Sequence, residues 1–247
     1  RLYLLLSCII SLQGGIIMKK GFTLAEVLIT LGVIGIVAAL TIPSLISNHN
    51  KSVTAARLSK AYNTVSNAIR LSENDNGMMS DWPIGANMDI YKFWDEYLKP
   101  YFSGARICET CEACGYPDNC SNPDTFGKQW TGTGTWTLAT NSSRLLFQLS
   151  DGAIVFFPKN TINAEGDPIY VSSLFIDING AQKPNEAGRD VFYFVRNYEK
   201  GTISAPAGDC KKSVEYCAYE IMSNGWKVPV DYPVSYTHLT LPTNSRV

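Results

Sequence analysis

The sequence predicts an α+β protein: one long N-terminal α-helix, half of it apolar enough for a membrane, packed on a small antiparallel β-sheet head. Three observations predict it. Residues 27–46 run without a charge, residues beyond Pro43 keep apolar side chains at helical spacing, and short β-branched and aromatic runs between turn residues fill the second half. The segments expected are a leader at 1–21, a transmembrane helix at 22–46, an amphipathic continuation at 47–77, a globular head at 78–233 and a non-native tail at 234–247.

Composition narrows the function. The 247 residues hold 21 bases and 22 acids, a net charge of -1. A nucleic-acid binder would carry a clear basic excess, so no nucleic-acid partner is expected. Charged residues are only 17% of the chain, and the acids lie almost entirely beyond position 70. The near-neutral total therefore averages a basic start, an uncharged stretch and an acidic remainder. Removing residues 1–21, which hold Arg1, Lys19 and Lys20 and no acid, leaves 18 bases against 22 acids, a net charge of -4.

The first apolar run, residues 2–12, is too short to span a bilayer. It precedes Met18, the first methionine of a chain that starts at Arg1, so residues 1–17 are read as translated upstream sequence, with a genuine leader as the competing reading. Met18-Lys19-Lys20-Gly21 forms a basic head, and 20 uncharged residues follow from 27 to 46. As a helix that run is roughly 30 Å long, one hydrocarbon thickness. Lys19 and Lys20 set the head of the span on the cytoplasmic side. A secretory signal would be shorter and would end at a small-residue cleavage site. A plain anchor has no evident need for Glu26, since a carboxylate in such a span is costly.

The string Lys19-Lys20-Gly21-Phe22-Thr23-Leu24-Ala25-Glu26-Val27-Leu28-Ile29 resembles the processing site of type IV prepilins and type II secretion pseudopilins. The resemblance implies a pilin-like fold and a structural subunit of a secretion pseudopilus or type IV pilus. A membrane prepilin peptidase would cut between Gly21 and Phe22 and methylate the new Phe22 amine. The implied partners are copies of this chain, other pilins or pseudopilins, the peptidase and an inner-membrane assembly platform. The implied location is the bacterial inner membrane, single-pass with the head outside the cytoplasm, then a periplasmic pseudopilus or a surface pilus. Glu26 of one subunit would meet the Phe22 amine of its neighbour and fix register, the best-attested use of a buried ion pair. Gly32, Gly35, Ala38 and Ala39 leave room for helices to approach closely. The alternative is an anchored or secreted disulfide-stabilised binding domain that never polymerises.

Beyond Pro43, Leu58, Tyr62, Val65 and Ile69 recur at spacings of four, three and four, one face of an amphipathic helix. Asn74-Asp75-Asn76-Gly77 supplies its stop. Residues 89–99 read as a short helix whose aromatics belong to the core, ended at Pro100. Cys108, Cys111, Cys114 and Cys120 follow in a CxxCxxC pattern with a fourth cysteine five residues on. Inside a cell that cluster would suggest zinc or an iron–sulfur group, and a redox or metal protein. Behind a membrane anchor in an oxidising compartment, disulfides are expected instead. With Cys210 and Cys217 the head has six cysteines, whose 15 connectivities the sequence leaves open. Cys210 with Cys217 closes the most local loop.

Strands are expected at 136–139, at 144–149 and 153–157 around Ser150-Asp151-Gly152, and at 174–178 and 190–195. A last short helix spans 213–222. The loop from Asp177 to Asp190 gathers hard oxygen donors and looks like the calcium loop of some major pseudopilins. That resemblance implies Asp177, Asn179 and Asp190 as calcium ligands. The competing reading is a turn in which Asp177 and Asn179 cap backbone N–H groups and Asp190 pairs with Arg189. No enzyme is expected: His49 and His238 are the only histidines, and no nucleophile–base set, HExxH or phosphate-cradling loop appears. Residues 234–247 resemble translated adapter read-through and are set aside.

Overall fold

The computed structural model describes residues 23–83, 89–116, 144–158, 171–197 and 199–233. The expected strand at 136–139, Gly21, Phe22 and Cys120 lie outside them. The chain falls into two units divided between Leu45 and Ile46.

The long helix, α1, spans Leu24–Asn76. Its first part has no buried residue through position 45: Leu24 is 77% exposed and Leu40 76%. By length and composition it is the one helix among the described residues able to cross a membrane. Within the second unit the same helix buries Thr54, Ala55, Leu58, Ala61, Val65, Ala68, Ile69 and Ser72. That three-and-four spacing is the stripe expected from sequence, and Leu58 and Val65 are fully buried.

The head is a six-stranded antiparallel sheet in simple sequence order. Its strands are β1 (Arg106–Cys108), β2 (Arg144–Gln148), β3 (Ile154–Pro158), β4 (Val171–Asp177), β5 (Val191–Asn197) and β6 (Thr202–Ser204). The β2–β3 hairpin turns at 149–153, where Gly152 takes φ 93°, a left-handed value suited to glycine. Alternation then assigns the two faces. Leu145, Phe147, Val155, Phe157, Leu174, Ile176, Phe192 and Phe194 join the α1 stripe in one core. Leu146, Ile154, Phe156, Phe175 and Val191 face the other way, packed with Cys108, Cys111, Cys114 and Tyr116.

Several expectations need correction. The 89–99 helix is α2 (Ile90–Phe93), capped by Asp89 accepting from Tyr91 and Lys92 N–H, then a π-helical stretch Trp94–Leu98 and a 3-10 turn Lys99–Tyr101. Pro100 does not stop it, because an early position in a 3-10 turn has no need of the missing N–H. The expected 213–222 helix begins as a 3-10 turn, Val214–Tyr216, and continues as α3, Cys217–Ser223. Strands β1 and β6, three residues each, were not anticipated. The structure contains disulfides Cys108–Cys114 and Cys210–Cys217, and Cys111 is disulfide-bonded as well.

Candidate functional site

Two places carry the residues singled out from sequence. The first is the start of α1. Thr23 sits at the N-cap: its hydroxyl accepts from the Glu26 N–H at 3.3 Å. Glu26 reaches back, accepting from the Thr23 N–H at 2.8 Å and its hydroxyl at 2.9 Å. This is a capping box, written in the sequence as Thr-x-x-Glu and not recognised there. Glu26 therefore has work inside a single chain, satisfying a helix-end N–H, which the sequence reasoning denied to a plain anchor. Its side chain is exposed and faces solvent. The structure does not describe Phe22, so the expected pairing with its amine is not placed.

The second place is the 177–190 loop at the end of β4. Asp177 is fully buried, and Asp190 nearly so. The Tyr116 hydroxyl donates to Asp177 Oδ2 at 2.6 Å, tying the cysteine-rich segment to the loop. The Asn179 N–H donates to Asp177 Oδ1 at 3.2 Å, an Asx turn. Asp190 accepts from the Asn185 N–H at 2.9 Å, the Asn179 side-chain amide at 3.2 Å and the Glu186 N–H. Burial pushes the Asp177 carboxyl well above the usual carboxylate range, and the neighbouring Asp190 adds to it. Burial likewise pushes Asp190 up to about 6, against the pull of the N–H groups it accepts from. Tyr116 is pushed up by burial and then by Asp177.

The glycine in the turn is required by contact. Gly180 has φ 64°, and a Cβ there would sit 2.5 Å from the Gly152 carbonyl oxygen of the β2–β3 hairpin. Asn185, with φ 51°, also occupies the left-handed region, which asparagine tolerates. With its amide nitrogen turned to the acceptors around it, Asn185 donates to Gln182 O at 3.1 Å, and to Gly180 O and Asp177 Oδ2 at 3.2 Å.

These contacts bear on the calcium ligands expected in the loop. A calcium cage needs six to eight oxygens free to converge on an ion. Here the loop carbonyls and Asp177 converge on the Asn185 amide, while Asp190 is committed to three N–H donors. Asn179 Oδ1 alone is buried without a partner. Among the described residues no group of three or more His, Cys, Asp or Glu is gathered to hold a metal. With the Asn185 amide so turned, Asp177, Asn179 and Asp190 are bonded as in the competing turn, in a modified form. Arg189 pairs with Glu186 at 3.4 Å, and its charge also favours the ionised Asp190 carboxyl.

Beside this knot a polar cleft of about 200 Å³ lies between Asn50, Thr54 and Arg57 of α1 and Pro184, Arg189 and Asp190.

The N-terminal geometry is that of an exposed apolar helix opening on a carboxylate. Comparison with known proteins adds the deciding observation: residues 17–42 match the family model described as the prokaryotic N-terminal methylation motif. This chain carries the prepilin-type signature. Residues 44–112 match a second model, a family of unknown function (DUF6613), which covers the buried part of α1 through Glu112. No curated protein and no solved structure matches the chain. The signature supports a type IV pilin- or pseudopilin-like protein, structural rather than enzymatic, and implies processing by a prepilin peptidase and assembly with other pilins. With the apolar span of α1, it is consistent with a membrane-anchored chain.

Proposed function

We propose that this protein is a subunit of a type II secretion pseudopilus or a type IV pilus. The observation that carries the reading is the methylation motif at 17–42 running directly into a helix half whose apolar side chains are all uncovered. A prepilin peptidase cuts between Gly21 and Phe22 and methylates Phe22. The head stays outside the cytoplasm while the apolar half of α1 waits in the inner membrane. Assembly moves that half from lipid into a bundle of like helices. There a lone carboxylate is expensive, and the Phe22 amine of a neighbouring subunit offsets that cost.

The capping box supports a second reading, an anchored binding domain that does not polymerise, because it gives Glu26 a use in a lone chain. Two substitutions separate the readings. Glu26→Gln retains a side chain able to complete a capping box but removes the charge, whereas Thr23→Ala breaks the cap and leaves the charge. If the chain polymerises through the ion pair, Glu26→Gln abolishes filaments in an assembly-competent host and Thr23→Ala does not. Filament or sheared-pilus yield is the measurement, with the level of folded head as control. Equal filament yield from wild type and Glu26→Gln would remove the ion-pair account.

A further inference from the structure

The described cysteines impose an order on how this head is made. Cys108 on β1 is bonded to Cys114, with Cα atoms 5.4 Å apart. Cys111 lies between them in sequence and is itself disulfide-bonded. No other cysteine lies between 108 and 114, so the partner of Cys111 is outside that span. The two bonds therefore cross along the chain: neither is nested in the other, and neither joins neighbouring cysteines.

A chain oxidised while still unfolded does not reach that pattern directly. The nearest pairs, Cys108 with Cys111 and Cys111 with Cys114, compete with the native bonds for the same thiols. A head that follows its N-terminal anchor across the membrane also presents Cys108 and Cys111 before Cys114. Either near pair blocks both native bonds at once. Folding then closes the route to repair, because Cys108, Cys111 and Cys114 are each no more than 4% exposed, packed between Tyr116 and the outer face of the sheet. Attack on a disulfide needs access to the sulfur along with a thiolate.

We infer that maturation of this head passes through a Cys108–Cys111 bond and is completed by a dithiol–disulfide isomerase acting before the head packs. The step is redox-neutral. The isomerase thiolate attacks Cys108 Sγ, the Cys108–Cys111 bond breaks, and Cys111 leaves as a thiolate. The Cys114 thiolate then attacks Cys108 Sγ in the mixed disulfide and expels the isomerase thiolate unchanged. Cys111 is afterwards oxidised with its own partner by the disulfide-donating oxidoreductase that made the first bond. The inference takes from the proposed function only an oxidising compartment for the head; it is indifferent to whether the chain polymerises.

The sequence makes the test practical. Glu109 and Glu112 separate the three cysteines, so a glutamate-specific protease places each on its own peptide. The reduced, unfolded full chain is refolded in detergent micelles in a mixed reduced and oxidised glutathione buffer, which keeps the isomerase in its dithiol form, with and without a purified protein disulfide isomerase, and digested without reduction at timed intervals. The expected result is early Cys108–Cys111 product, with Cys108–Cys114 appearing about tenfold faster when the isomerase is present. Cys111→Ser removes the crossing, and in that variant the acceleration of Cys108–Cys114 falls below about twofold. If Cys108–Cys114 is the first bond formed and its rate ignores the isomerase, the inference is overturned. Equal acceleration in wild type and Cys111→Ser overturns it too, since the crossing would then not be the cause. Failure of the compartment assumption shows separately, as alkylatable thiols at these positions in chain taken directly from cells.

Discussion

The two parts of α1 are one helix made for two surroundings. In residues 46–76 the apolar side chains recur every three or four positions, and the stripe is covered: Leu58, Val65 and Ile69 are buried against β-sheet side chains. In residues 24–45 apolar side chains occur all round the helix and none is buried. A helix that is apolar on every side needs an apolar environment on every side. The contrast shows that the first part draws its stability from something the single chain does not supply, whereas the second is an ordinary core helix.

The sharpest break of that comparison is a matched pair of truncations. Leu58→Ala should destabilise the head by about 2–5 kcal/mol, because it opens a cavity in a covered stripe. Ile34→Ala, at a 63% exposed site, should leave the denaturant midpoint of the head unchanged within about 0.5 kcal/mol. Chemical denaturation in detergent followed by tryptophan fluorescence reads both. A large effect of Ile34→Ala would mean that the apolar half supports the head after all.

Next in size is the acidic knot. Below the ordinary aspartate pKa, near 4, both folded and unfolded Asp190 hold a proton. Between there and about 6 the folded form holds it more tightly. The stability this contributes is present at acid pH and is lost as pH rises through about 6. Asp177, raised in the same sense, adds to the trend, while Asp151, whose carboxyl is held down by Lys60, opposes it. Unfolding free energy should therefore fall by on the order of 2 kcal/mol between pH 4 and pH 7. A flat or rising profile would contradict the buried pair. Tyr116→Phe should cost about 1 kcal/mol by removing one of the two donors to Asp177 Oδ2, read as a shift in thermal midpoint. The smallest expected effect is that of calcium. Addition of the ion or of a chelator should leave the melting curve in place, and a rise of several degrees with calcium would restore the oxygen-cage reading.

Local signals were enough for the covered stripe, the β2–β3 hairpin around Ser150-Asp151-Gly152, and the β4 and β5 strands to within a few residues. Strands β1 and β6 escaped because three residues are too few to show period-two alternation. Arg196 escaped for another reason. It lies inward with Phe192 and Phe194 on β5, fully buried, its guanidinium 4.1 Å from the centre of the Phe157 ring. A charge at that position reads from sequence as an outward residue, and only the packing shows that an aromatic face receives it. The knot was half legible. The Asx turn at Asp177 and Asn179 follows from local chemistry, but Tyr116 meets Asp177 across 61 residues, and the Asn185 amide reaches Asp177 Oδ2 as well. Thr23-Leu24-Ala25-Glu26 is fully legible as a capping box, a local use for Glu26 that does not depend on a neighbouring subunit.

The account turns on the fate of the first 21 residues. Intact-mass analysis and N-terminal sequencing of the chain from membranes of a host with an active prepilin peptidase tests it most directly. The account predicts a chain that begins at Phe22 carrying one added methyl group, and an uncut precursor when Gly21 is replaced by leucine. A wild-type chain that retains Lys19-Lys20-Gly21 in that host would contradict it.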